Sequence, residues 1–172
     1  SKIEAGRLEG LANARRFICV LVMDVRGFTT RAGREPPDRV VALLDELCEQ
    51  ATEAIHGRGG TVDKFMGDGI LAFFGAPAPM DDACGAAFGA AIDILERVRR
   101  IGDTSPAAAG TPLAVGVGLA CGEATVGHVG AATRHSYTAI GDCVNVASRL
   151  ESLTKAVGVP LVITDGVATR RG

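Results

Sequence analysis

The stretch TVDKFMGDGILAFFG (residues 61–75) reads as a β-hairpin with Gly67, Asp68 and Gly69 at its tip, since two runs rich in apolar and β-branched residues flank a Gly-Asp-Gly cluster. An Asp-Gly pair suits a type I′ turn for backbone reasons alone. The hairpin matters because helical patterns lie on both sides of it. Upstream, Pro36, Pro37 and Asp38 announce a helix start, and Val40, Leu44, Leu47, Ala51 and Ile55 repeat at helical spacing as far as Gly57, a residue suited to a C-terminal cap. Downstream, Asp81 and Asp82 place acids where a helix dipole favours them, and Cys84, Phe88, Ala91, Leu95 and Val98 form the apolar face.

Before the first helix, FICVLVMD (17–24) is an apolar run ending in an acid, as expected of a buried strand. After the second helix and a flexible SPAAAGTP segment, LAVGVGLACGEATVGHVG (113–130) reads as two short strands around Gly122. SYTAI (136–140) is a further strand, a helix follows Gly141, and PLVIT (160–164) supplies the last strand. The order β-α-β-β-α-β-β predicts an α+β fold, a ferredoxin-like antiparallel sheet with flanking helices.

A length of 172 residues fits one domain with a sizeable core. Residues 1–16 read as a linker from a missing N-terminal region and 17–172 as the domain, C-terminally incomplete. A net charge of −2 lacks the basic stripe of a nucleic-acid binder. The six Phe and one Tyr sit mostly inside apolar runs, against a ferredoxin-like RNA binder that stacks bases on exposed rings. Five cysteines without a CxxC pair read as reduced, buried thiols in a cytoplasmic setting. No apolar run approaches the roughly 20 residues needed to cross a bilayer.

Asp24 lies where a strand runs into the loop VRGFTT. A carboxylate there can hold a hard cation, and the amides after it, with Gly27 allowing close approach, can cradle phosphate oxygens. Strand-end acids also cap turns, and Asp68 alone is explained by its turn. As a pair, Asp24 and Asp68 suit two cations held against a triphosphate. Lys64, four residues before Asp68, alone reads as an edge guard on an exposed strand. In the stretch YTAIGDCVNVASRLE (137–151), Val146, Leu150, Leu153 and Val157 cluster on one side of the helix, and Asn145, Arg149 and Ser152 on another. Asn followed by Arg four residues on is no ion pair, so the polar face either meets solvent or serves a ligand. A planar Arg suits phosphate, and Asn can orient a sugar.

DVRGFT (24–29), GGTVDKFMGDGILAFFG (59–75) and YTAIGDCVNVASRLE (137–151) together resemble the catalytic domain of class III nucleotidyl cyclases, in order and approximate spacing. The resemblance implies the class III cyclase catalytic fold and an adenylate cyclase that turns ATP into 3′,5′-cyclic AMP and pyrophosphate. It implies two Mg²⁺ or Mn²⁺ per active site, held by Asp24 and Asp68 with the Val25 carbonyl as a further ligand, and phosphate contacts from Gly27, Phe28 and Thr29. Lys64 and Thr138 match the positions that read the purine, Asn145 the one that orients the ribose, and Arg149 the one that stabilises charge on the α-phosphate. The partners implied are ATP and a second copy in a head-to-tail homodimer with shared sites, with no nucleic acid involved. A regulatory or membrane domain attached to a cytoplasmic catalytic domain is also expected.

Lys only donates and adenine N1 accepts, whereas guanine N1 carries a hydrogen. Thr138 can accept from the adenine amino group, so the pair favours ATP, and a guanylate cyclase reading fails at Lys64. The alternative is a catalytically silent module kept for dimerisation or sensing, and the competent residues at all six matched positions oppose it. The family's further Lys, which grips the terminal phosphates, would fall beyond Gly172.

Overall fold

The computed structural model describes residues 13–108, 112–131 and 134–171. The elements run β1 (Ala14–Val25), α1 (Phe28–Ala32), α2 (Pro37–Gly57), β2 (Thr61–Met66), β3 (Gly69–Phe74), α3 (Ala83–Thr104), β4 (Val115–Ala131), β5 (Arg134–Ile140), α4 (Asp142–Val157), β6 (Leu161–Ile163) and α5 (Asp165–Arg170). The sheet order is β2-β3-β1-β4-β5, antiparallel throughout, with β6 added parallel to β4. The unit β1-α2-β2-β3-α3-β4 is the expected ferredoxin-like α+β core.

From Ile18 to Met23 strand β1 is apolar because both of its faces are covered there. Cys19, Leu21, Met23 and Val25 pack with Leu43, Leu47, Ile55 and Ile94 of α2 and α3. Ile18, Val20 and Val22 point the other way, toward Ala120, Val126, Cys143 and Ala147 beneath α4. Each fully buried Leu or Ile contributes about 1.5–3 kcal/mol, which makes β1 the strand that holds the two layers together.

Alternation along β4 sorts the same two faces. Val115, Val117 and Leu119 join the α2/α3 core, while Gly116, Gly118 and Gly122 alternate with them on the α4 side. A Cβ on Gly118 would come under 3.0 Å from the Ala147 carbonyl and the Glu151 amide, so the helix backbone rests directly on the strand. That close seating explains a difference from the expected helix face. The buried residues of α4 are the small Cys143, Ala147 and Thr154, while Leu153 and Val157 are exposed.

Other expectations are corrected by packing. Residues 113–130 do not form two strands around Gly122: β4 passes through it unbroken, pairing with β1 along its near half and β5 along its far half. The SPAAAGTP segment is not flexible at its described start, where Ser105 donates to Glu46 (2.6 Å) and Arg31 and Arg39 donate to the Ala107 carbonyl (3.3 and 3.2 Å). Residues 109–111 of that segment lie outside the described residues. Gly57 stays helical, and Gly59 takes the left-handed conformation (φ 75°) instead. Leu43 replaces Leu44 on the buried face of α2, and Phe88 and Leu95 of α3 are half-buried beside Ala87 and Ile94. At the hairpin tip only Gly67 has positive φ (64°), so the type I′ turn, which needs two such residues, is not formed. Residues 1–12 of the expected linker lie outside the described residues, and Ala14–Arg16 are the first residues of β1, paired with β4. All five cysteines are free. No helix among the described residues is long and apolar enough to cross a membrane.

Candidate active site

The antiparallel register of β1 and β3 sets Asp24 opposite Gly69, the residue after Asp68. A Cβ on Gly69 would meet the Met23 carbonyl at 2.8 Å and Asp24 Oδ1 at 3.1 Å, so only glycine leaves room for the carboxylate. Burial, and then the nearby charge of Asp68, push the Asp24 carboxyl above its ordinary value, against the opposing pull of Arg26 and the Val25 amide. The chain therefore holds two acids close enough to repel.

A third acid stands beside them. Glu151 of α4 is half-buried, and burial, followed by the charge of Asp24, raises its carboxyl in turn, with Arg26 opposing. Asp24, Val25, Gly27, Glu151, Ser152 and Lys155 line a cleft of about 210 Å³. The sequence reading passed over Glu151. The signal available was an acid set among Ala147 and Thr154 on the small-residue side of the helix, where a solvated carboxylate has no reason to sit.

Gly27 takes φ 67° and leads into α1, whose first amides have no intrahelical acceptor. Thr29 is exposed there, whereas the Phe28 ring packs against the core and leaves only its amide to the loop. Arg26 donates to the Thr154 hydroxyl and to the Val159 carbonyl (3.4 Å), tying this loop to the C-terminal part of α4.

Lys64 and Thr138 come together by a longer route. Strands β2 and β5 stand at opposite ends of the five-strand order, which in a flat sheet would separate them by about 19 Å. Instead the far half of β4 and β5 fold over the sheet, placing the Tyr137 ring 6.1 Å from that of Phe73. Thr138 Oγ1 then donates to Asp63 Oδ2 at 2.5 Å, and Lys64 Nζ lies 3.5 Å from Asp63 Oδ1. The Asp63 side chain is 0% exposed, and a register shift between Val62 and Lys64 marks its place in β2. Sequence reasoning missed Asp63, and its only signal was an acid next to Lys64.

Asn145 and Arg149 are exposed on α4, and neither makes an ion pair or hydrogen bond among the described residues. The charges that shift Asp24 are Asp68 and Arg26, and Arg149 is not among them. One chain thus brings Asp24 to Asp68, and Lys64 and Thr138 to Asp63, while Arg149 stays exposed on α4. Among the described residues no cluster of three or more His, Cys, Asp or Glu is placed to hold a metal. Asp24 and Asp68 form a two-carboxylate set, which fits a cation such as Mg²⁺ that keeps waters and completes its shell with substrate phosphates.

Residues 12–165 match the family described as the adenylate and guanylate cyclase catalytic domain. Adenylate cyclase 1 of Rhizobium meliloti (strain 1021) is 33% identical over 168 residues, covering 98% of this chain and 25% of that protein. This chain therefore spans a quarter of that relative's length. The crystal structure of the adenylyl cyclase CyaB from P. aeruginosa superposes with a TM-score of 0.86 at 31% identity, over 92% of this chain and 82% of that one. The guanylyl cyclase Cya2 superposes with a TM-score of 0.85 at 32% identity, over 94% and 81%.

Proposed function

Because the chain belongs to the adenylate and guanylate cyclase catalytic domain family, we propose that it is an adenylate cyclase whose sites are completed between two head-to-tail copies. The ribose 3′-oxygen of ATP attacks the α-phosphorus in line, pyrophosphate leaves, and 3′,5′-cyclic AMP forms. The observation that carries this reading is the apposition of Asp24 and Asp68 across β1 and β3, a repelling pair that an extended carboxylate turn would not need.

Asp24 and Asp68, with the Val25 carbonyl, would hold the divalent ions. Two Mg²⁺ or Mn²⁺ held there would lower the pKa of the 3′-hydroxyl and offset the charge of the departing pyrophosphate. The amides of Gly27, Phe28 and Thr29 face the phosphates. Lys64 donates to adenine N1 and Thr138 accepts from the adenine amino group, which favours ATP over GTP. Asn145 orients the ribose, and Arg149 meets the negative charge that develops on the α-phosphate; one such donor is worth about 3–4 kcal/mol in the transition state. The exposure of Asn145 and Arg149, together with that of Phe65 (54%) and Ile140 (58%), supports a partner that receives them. In the whole protein this domain would sit in the cytoplasm, attached to a regulatory or membrane segment.

Purified protein supplied with ATP and Mn²⁺ is expected to release pyrophosphate and cyclic AMP, with activity per chain rising with concentration as dimers form. A flat, buffer-level signal at every concentration would end the cyclase reading.

The shift on Asp24 gives a second test. Its folded carboxyl binds a proton more tightly than the unfolded one, so stability falls as pH rises from the ordinary carboxylate value through the raised one. Above that window the charged Asp24 carboxyl is held beside Asp68 and the repulsion persists. A divalent ion competes with the proton and relieves that repulsion. The rise in Tm on adding Mn²⁺ is therefore expected to be larger at about pH 8 than at about pH 4, near the ordinary carboxylate value, and absent in Asp24→Asn. An equal rise in both proteins at both pH values would put the cation elsewhere.

A further inference from the structure

We propose that Asp63 is a positioning residue that makes the Thr138 hydroxyl an acceptor toward the base, so that ATP preference depends on three residues and not on the Lys64/Thr138 pair alone. The inference rests on the cyclase reading above. A threonine hydroxyl is ambivalent: it donates one hydrogen and accepts through its lone pairs. Left free to rotate, it can accept from the adenine amino group or donate to guanine O6, and it separates the two bases poorly. An ionised carboxylate only accepts. Since Thr138 Oγ1 lies 2.5 Å from Asp63 Oδ2, the hydroxyl hydrogen is committed to Asp63, and what Thr138 offers a ligand is its lone pairs.

The other carboxylate oxygen acts on the neighbouring residue. Asp63 Oδ1 is buried without a hydrogen-bond partner and lies 3.5 Å from Lys64 Nζ. One direction of the ammonium is drawn toward that oxygen, which leaves its remaining hydrogens for a ring nitrogen that accepts. The trio then presents one donor and one acceptor side by side. Adenine carries the complement, an acceptor at N1 and a donor at its amino group. Guanine carries a donor at N1 and an acceptor at O6, and so is mismatched at both points. The burial of Asp63, 0% exposed, keeps water from competing for either oxygen and strengthens both contacts.

The test compares kcat/KM for ATP and GTP in wild type, Asp63→Asn, Thr138→Ala and the double variant. Asparagine has the shape of Asp63 but can turn its amide toward Thr138, which releases the hydroxyl hydrogen to the ligand. We expect the ATP/GTP ratio to fall about tenfold or more in Asp63→Asn, the size of a misdirected hydrogen bond. In the Thr138→Ala background the same substitution should move the ratio less than about twofold, because there is no hydroxyl left to direct. A loss equal for both nucleotides, an unchanged ratio, or the same shift without Thr138 overturns the assignment. Competition by ATP and GTP against a ribose-labelled fluorescent nucleotide reads the same ratio without turnover. If wild type binds but turns over neither nucleotide, the cyclase reading fails, while the displacement ratio still decides the role of Asp63.

Discussion

An equal mixture of Asp24→Ala and Arg149→Ala is expected to recover about a quarter of wild-type activity, although each variant alone should fall by about a hundredfold to a thousandfold. Random pairing makes half of the dimers mixed. In a head-to-tail pair each mixed dimer has one site with both lesions and one with neither. The expectation follows from the head-to-tail sharing proposed above, in which the exposed Arg149 of α4 serves the partner's acids. The loss in each variant has a different cause. Without Asp24 the divalent ions lose a ligand, and without Arg149 the transition state loses a charge that the ground state does not need. Activity should rise with time after mixing as chains exchange, and should vanish when either variant is omitted. Folded, dimeric variants that give no recovery at any ratio would show that each chain builds its own site.

Gly118→Ala should lower the Tm by about 6–12 °C, which for a chain of this size corresponds to about 3 kcal/mol. The added methyl would lie under 3.0 Å from backbone atoms of Ala147 and Glu151, which cannot rotate aside as a side chain could. The helix must lift off β4, and the buried contacts of Cys143 and Ala147 loosen with it. Catalysis should drop too, because the same helix carries Asn145 and Arg149. Gly57→Ala is the internal control: nothing lies within 4 Å of the added methyl and the residue is helical, so stability should hold or rise by roughly 0.5 kcal/mol. Thermal melts followed by circular dichroism separate the two. A Gly118→Ala protein melting with wild type would mean that α4 is not seated on the glycine stripe.

The sequence carried the layer order and the paired motifs well, because both depend on local periodicity and turn chemistry. Strand β1, helices α2 and α3 and the 61–75 hairpin are local patterns, and the structure places them as expected. What periodicity cannot carry is the choice between two apolar faces. The α4 wheel offered Leu153 and Val157 as a buried stripe, but the glycines of β4 draw in the smaller side chains. Nor does a glycine in an apolar run announce whether it breaks a strand, and at Gly122 the expected break is absent because β4 runs through it. At the site, Asp24 and Asp68 were legible because each closes a strand or a turn. Asp63 and Glu151 were not, since each owes its role to a partner far away in the chain, Thr138 for one and Asp24 for the other.

The bond from Arg26 to Thr154 has a consequence for how two such sites behave together. Arg26 belongs to the loop that follows Asp24, and Thr154 to the helix that carries Asn145 and Arg149. In a head-to-tail pair, then, the guanidinium is a mechanical strut between one protomer's two half-sites. Under the head-to-tail pairing proposed above, nucleotide in one pocket would then be expected to alter the other through the loop and the helix.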